Sequence, residues 1–274
     1  MRTIMLATLL LFGAAPLAVQ AAPRQLSQQQ LQQVELSLML KGTLQIDAQG
    51  RVTEFSLQPN RHATESAMGF VRGQVASWEF EPYLVDNQPT AFSSEVTLRL
   101  VGRPTEDGGM NVRIASAHFD AGDRGKANEI SRKSLSAPQY PRELYNRGMA
   151  GIVYLMLNVN AKGEVADVAV EQINLTRIGN ERQMRQARDG LGRSAMQAAR
   201  SWTFNVPAAG PDTGKDSWHV RVPVSYSISD SLGSRAKDGA QGWEAYIPGP
   251  RLPVAWRQRG ADDAYAGLDA LADG

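Results

Sequence analysis

The chain contains no cysteine among its 274 residues. Disulfides, thiolate nucleophiles and cysteine-ligated metal sites are therefore excluded, as is a lipidated cysteine behind a leader. Histidine is scarce as well: His62, His118 and His219 stand far apart, and none has another His or an acidic residue at a convincing metal-ligand spacing. Charge of one sign is also missing, since 29 basic and 28 acidic side chains leave a formal net charge of +1. Nothing here forms the concentrated basic face that a nucleic-acid partner favours. Neither a G-x-S-x-G elbow nor a P-loop occurs. GLGRSA at 190–195 satisfies G-x-G-x-x-A in form, but polar, helical NERQMRQARD precedes it instead of a strand. AGDRGK at 121–126 reads as a loop, and NLT at 174–176 as a chance sequon. No catalytic constellation emerges, so no enzyme, cofactor or metal is expected.

Long apolar runs are confined to the start. MRTIMLATLLLFGAAPLAVQAAPRQ has a basic residue (Arg2), an apolar stretch from Ile4 to Phe12, and small residues around Val19-Gln20-Ala21. This is the pattern of a secretory signal peptide over 1–22, cleaved after Ala21 or Ala22. The apolar stretch is short for a membrane span of about 20 residues. The expected location is the periplasm; the alternative is an uncleaved inner-membrane anchor facing the periplasm, the only route to membrane contact.

What remains is the patterning of a globular α+β protein. QLSQQQLQQVELSLMLKG, with Ser27 as a cap and Leu31 and Val34 at helical spacing, is read as a short polar helix. TLQIDAQGRVTEFSLQP reads as a hairpin turning at Asp47–Gly50. ATESAMGFVRGQVAS carries Ala67, Phe70, Val71 and Val75 on one helical face. SWEFEPY and an alternating strand, EVTLRLV, follow. Residues 102–136 are rich in Gly, Asp, Ser and Arg and read as a linker, with only NVRIASAHF (111–119) alternating as a strand does.

The order then begins again: a Pro-started short helix, a hairpin turning at Asn160–Gly163, a longer helix over 181–200, SWTFNVP, and the alternating strand WHVRVPVSYSI. DAQGRV (47–52) aligns with NAKGEV (160–165) at an offset of 113, while SWEF with SWTF and EVTLRL with HVRVPV align at 124. An insertion around Thr176–Gln186 accounts for the difference. The chain thus reads as two tandem copies, over 26–101 and 137–229, each a small antiparallel β-β-α-β sheet with helices on one face. Trp202 and Phe204, two apart on a strand, share a face and are expected to turn into the core. Past Ser229, residues 230–274 form a Gly/Ala/Asp-rich and largely flexible tail, although GWEAYIPGPRLPVAW has the aromatics to pack across a domain.

The second copy resembles the C-terminal domain of TonB. Pro138, Tyr140 and Pro141 match that family's Pro-x-Tyr-Pro opening, Gly151 and Val153 its entry into the first strand, Gly163 its hairpin turn, and Trp202 and Phe204 its Trp-x-aromatic signature, with Pro207 following. The match covers about 136–228. The first copy is a fainter likeness, with Gly50, Trp78, Phe80 and Pro82 but no Tyr-Pro opening. The resemblance implies a protein partner and no reaction: TonB proteins pull on outer-membrane receptors, whose TonB box pairs with the last strand of this domain. Carried over, the partner-binding residues are Trp218, His219, Val220, Arg221, Val222, Ser225 and Tyr226. Three departures stand against a TonB of the usual kind. The leader looks cleavable, no long Pro-rich, Lys/Glu-rich spacer is present, and Pro223 removes an N–H donor from the pairing strand. The expectation is a periplasmic protein-binding module that pairs with extended segments of envelope proteins, including TonB-dependent receptors. The alternatives are a divergent energy transducer with a retained anchor, and a peptidoglycan-binding or self-associating envelope protein.

Overall fold

The computed structural model describes residues 33–85, 88–105, 108–120, 130–208, 213–228, 242–254 and 256. The expected leader and residues 25–32 of the expected first helix lie outside these residues; from Glu35 on, that stretch is strand and not helix.

In the first half, β1 (Glu35–Ile46) and β2 (Val52–Leu57) form a hairpin, followed by α1 (Glu65–Val75), a small pair β3 (Leu84–Val85) and β4 (Gln88–Pro89), then β5 (Phe92–Pro104) and β6 (Met110–Asp120). β1 starts eight residues before Thr43, where the sequence reading put it. Leu36, Leu38 and Leu40 alternate with Ser37, Met39 and Lys41. That period of two overrides the helical spacing of Leu31 and Val34, and Leu38 and Leu40 are almost fully buried with Leu44 and Ile46. On α1, capped by the Thr64 side chain, the buried stripe is Ala67, Val71 and Val75, spaced four apart. Phe70 lies off it and is exposed. β6 lies inside the stretch read as a linker.

The second half comprises β7 (Ser131–Ser134), α2 (Arg142–Asn146), β8 (Gly151–Asn160), β9 (Val165–Leu175), α3 (Glu181–Ala199), β10 (Thr203–Asn205) and β11 (Ser217–Tyr226). α3 opens on a capping box between Asn180 and Gln183. It buries Met184, Ala187, Leu191, Ala195 and Ala199 against Val153, Leu155, Leu157 and Val159 of β8. All strand pairs are antiparallel, in the order β11-β8-β9 here and β1-β5-β6 in the first half, with β2 also paired to β1.

The two hairpins share their detail. The Asp47 carboxylate accepts the N–H of Gln49 and of Arg51, each at 2.9 Å. The Asn160 side chain accepts those of Lys162 and Glu164 at 2.9 and 3.0 Å. Gly50 and Gly163 close the turns at φ of +83° and +79°, where a side chain is strained. Each glycine then meets the chain after the helix: Phe80 N–H donates to the Gly50 carbonyl and Phe204 N–H to that of Gly163, both at 2.8 Å. A Cβ on Gly50 would stand 1.9 Å from the Phe80 oxygen, and one on Gly163 2.1 Å from that of Phe204. Trp202 and Phe204 are 3% and 2% exposed, walls of the core, and the Trp202 indole N–H donates to the Ser136 carbonyl at 2.8 Å. One detail departs from the sequence alignment. Leu44 pairs with Ser94 and Leu157 with Val220, so the last strands correspond at an offset of 126 (220 − 94), two more than read from sequence. A slip of two preserves the faces.

A C-terminal segment ties the halves together. β12 (Glu244–Tyr246) pairs with Glu35–Ser37 at the start of β1. The next residue, Ile247, exchanges backbone hydrogen bonds with Leu175 of β9 at 2.8 and 3.0 Å. Tyr246 and Ile247 are both buried. The Tyr246 hydroxyl donates to Glu35 at 2.6 Å, and Arg103 donates to the same carboxylate at 2.7 Å. Further on, the Gly249 carbonyl accepts from the Gln172 side chain, and the Leu252 N–H donates to the Glu171 carbonyl.

Two outcomes follow. Trp202→Ala removes a buried indole and its hydrogen bond, and is expected to lower stability in urea unfolding by about 3–5 kcal/mol. Burial pushes the Glu35 carboxyl up, but hydrogen bonds from Tyr246 and Arg103 and the charges of Arg113 and Arg103 hold it below the usual carboxylate range. A depressed carboxyl stabilises the fold above its unfolded value, about 4.3, and that share is lost as pH falls through the folded value. The melting temperature should therefore drop on acidification below about pH 4, and less steeply in Glu35→Gln.

Candidate strand-pairing site

The last strand of the second half, β11, is held on one side only. It pairs with β8 from Ser217↔Asn160 to Tyr226↔Gly151 with no break in register, and no described strand lies on its other side. Its side chains alternate. Trp218, Val220, Val222, Val224 and Tyr226 are buried in the second core, while His219, Arg221 and Pro223 turn to the opposite face, partly covered, and Ser217 and Ser225 are exposed. The seven carried-over residues are thus brought onto one strand but divided between its faces. Trp218, Val220, Val222 and Tyr226 face the core, and in the alternation of an antiparallel ladder their main-chain groups point to β8, so of the seven only His219, Arg221 and Ser225 present main-chain groups to the outer side. Because the ladder to β8 is unbroken at Pro223, this residue's missing donor belongs to the outer side, and Ser225, two away, turns its N–H outward as well.

Arg221 is the best-held polar group on the strand. Its Nε donates to Glu171 of β9 at 2.5 Å, with the two side chains 15% and 7% exposed. Its guanidinium lies 4.2 Å from the centre of the Tyr154 ring on β8. The Tyr154 hydroxyl in turn accepts from Arg99 of β5 at 2.6 Å. Arg99, Tyr154, Glu171 and Arg221 therefore form one polar chain from the first sheet to the pairing strand. At the start of β11, His219 stacks on Trp256 with ring centres 4.9 Å apart. At its end, Tyr226 packs edge-on to Tyr140 at 5.2 Å, and burial pushes both hydroxyls up. Sequence reasoning missed Tyr154, Glu171 and Arg99; Tyr154, a lone aromatic in an apolar strand, was the only visible cue.

Elsewhere, a groove of about 400 Å³ between α2 and α3 is rimmed by Arg142, Arg147, Arg193, Glu143 and Asp189, a mixture of charge that favours no one ligand. Among the described residues no three or more His, Asp or Glu gather so as to hold a metal, and no helix is long and apolar enough to cross a membrane.

The class is now defined: a mixed α+β protein of antiparallel sheets and few helices. No family model matches the chain. A stretch of 107 residues, 39% of the chain, is 35% identical to Protein TonB of Xanthomonas campestris pv. campestris (strain B100) and covers 42% of that protein. A stretch of 120 residues, 42% of the chain, is 28% identical to Protein TonB of Helicobacter pylori (strain J99) and covers 37% of it. The solution structure of the Pseudomonas aeruginosa TonB CTD is 21% identical, covering 36% of this chain and 87% of that one at a TM-score of 0.26. The chain carries a TonB C-terminal domain, and it spans less than half the length of the curated relatives it matches.

Arg221→Ala strips the buried Glu171 carboxylate of its guanidinium and is expected to cost about 3–5 kcal/mol in chemical unfolding. An apolar pair, Arg221→Met with Glu171→Leu, should recover most of that loss, since both charges are then removed together.

Proposed function

We propose that the chain is a non-enzymatic periplasmic protein-binding module built from two copies of a TonB-C-like unit, and that it pairs β11 with extended segments of envelope proteins, TonB-dependent outer-membrane receptors foremost. The observation that carries the reading is a ten-residue, unbroken strand with no described strand on its outer side. Such an edge offers main-chain donors and acceptors to an incoming strand, and these give affinity without a preformed cavity. Duplication is supported by the shared hairpin hydrogen bonds, the two glycine–phenylalanine contacts and the common strand order. The likeness to Protein TonB supports a receptor as the partner. The transducer alternative shares this site and differs only in whether the leader stays as an anchor, which the N-terminal sequence of the mature protein decides.

The test is titration of the full chain with a synthetic receptor TonB-box segment. Ser225→Pro removes an outward N–H at an exposed position and leaves the core-facing residues in place. Loss of one hydrogen bond of about 1 kcal/mol weakens binding roughly fivefold, with the melting temperature little changed. Equal affinity for the Ser225→Pro and Ser217→Pro variants and the parent chain would sink the pairing of β11.

A further inference from the structure

We infer that β6 occupies on the first half the place that a partner strand takes on the second, so that the chain offers one strand-accepting edge of this kind, β11, and not two. The inference rests on the duplicated, strand-pairing reading above and says which copy can act on it.

In both halves the hairpin's first strand is central: β1 lies between β2 and β5, and β8 between β9 and β11. β5 therefore corresponds to β11. The outer side of β5 is filled by β6 over ten register positions, from Glu95↔Asp120 to Pro104↔Met110. The ladder has one irregularity. Arg99 faces Ser116 and Leu100 faces Ile114, so Ala115 is the extra residue of a bulge on β6.

Side chains explain why this occupant stays. β6 contributes Val112, Ile114, Ala117 and Phe119 to the first core. The Phe119 ring stands edge-on to Trp78 at 5.8 Å and to Phe80 at 5.2 Å, closing the aromatic wall of that half. The second half closes its wall differently: Trp202 and Phe204 are covered with Ile130 and Leu135 in the same core, and β7 pairs with β10 beside them. Its core is complete without any strand beyond β11. A strand on β11 is thus held by main-chain bonds and can exchange with solution, whereas β6 is anchored by apolar side chains and cannot readily leave.

Residue-resolved hydrogen exchange on the full chain, alone and with a synthetic receptor TonB-box segment, tests this. In the free chain the amides of Val96 to Arg99 should all exchange slowly, while on β11 the outward amide of Ser225 exchanges fast. On titration one equivalent binds, the β11 amides slow, and β5 is unchanged. A free-chain β5 whose alternate amides exchange as fast as Ser225, or a second equivalent with new protection on β5, overturns the inference. If no segment binds while β5 is uniformly slow, the closure of β5 stands and it is the pairing of β11 that fails. A Phe119→Asp variant loosens β6: with α3 amides still protected, a second equivalent should then appear on β5. A single equivalent on a β5 made fast-exchanging would mean that β5 is not a strand-accepting edge, and would overturn the correspondence.

Discussion

Everything in this molecule is hung on one backbone contact, made in each half: the turn glycine of a hairpin lies against the carbonyl of the Trp-x-Phe segment. The approach leaves no room for a Cβ and is sealed by the Phe N–H to Gly C=O bond. It fixes where the chain leaving the helix meets the hairpin, and so where the helix lies over the sheet. It also decides which way the aromatic pair turns. The last strand returns along the far side of the central strand because the hairpin's own second strand already holds the other side.

From that frame the character of β11 follows. A strand at the margin of a sheet must either hide its outer hydrogen-bonding groups or use them. The first half hides them under β6. The second half covers part of β9 with the C-terminal segment and leaves β11 uncovered by any described strand. Pro223 tempers the exposure by deleting one outward donor, which disfavours indiscriminate edge-to-edge pairing more than it disfavours a segment that fits. The polar chain through Arg221, Tyr154 and Arg99 holds the strand on the face away from its core, so the main-chain groups it presents are presented from a fixed position.

Much of this was legible in the sequence because it is local. Asp-x-x-Gly and Asn-x-x-Gly encode their turns within a few residues, and the stripe of α3 and the alternation of β11 are short-range periodicities. Where only periodicity was available, two near-equal patterns misled. A glutamine-rich run hid the early start of β1, and Phe70 looked like part of a stripe that passes one residue away. Within the stretch rich in Gly and Asp, the alternation of 111–119 marked the strand Met110–Asp120, but not that it pairs with β5 just before it and belongs to the first sheet. What could not be read was pairing across distance. Glu171 and Arg221, or Tyr154 and Arg99, are some fifty residues apart, and no local pattern announces that they meet. The two-residue shift between the last strands was invisible for the same reason: identity of residues favoured one offset, and backbone register imposed another.

The junction of Tyr246 and Ile247 has a mechanical meaning. Neighbouring Cα atoms are about 3.8 Å apart, yet these two residues are buried on opposite sides of a seam, one bonded to Glu35 of β1 and the other to Leu175 of β9. A tether that short has no slack. A load applied along β11 passes through its sheet to β9 and across a single peptide to β1, so the halves must bear it as one piece until Tyr246 or Ile247 is torn out of its own sheet.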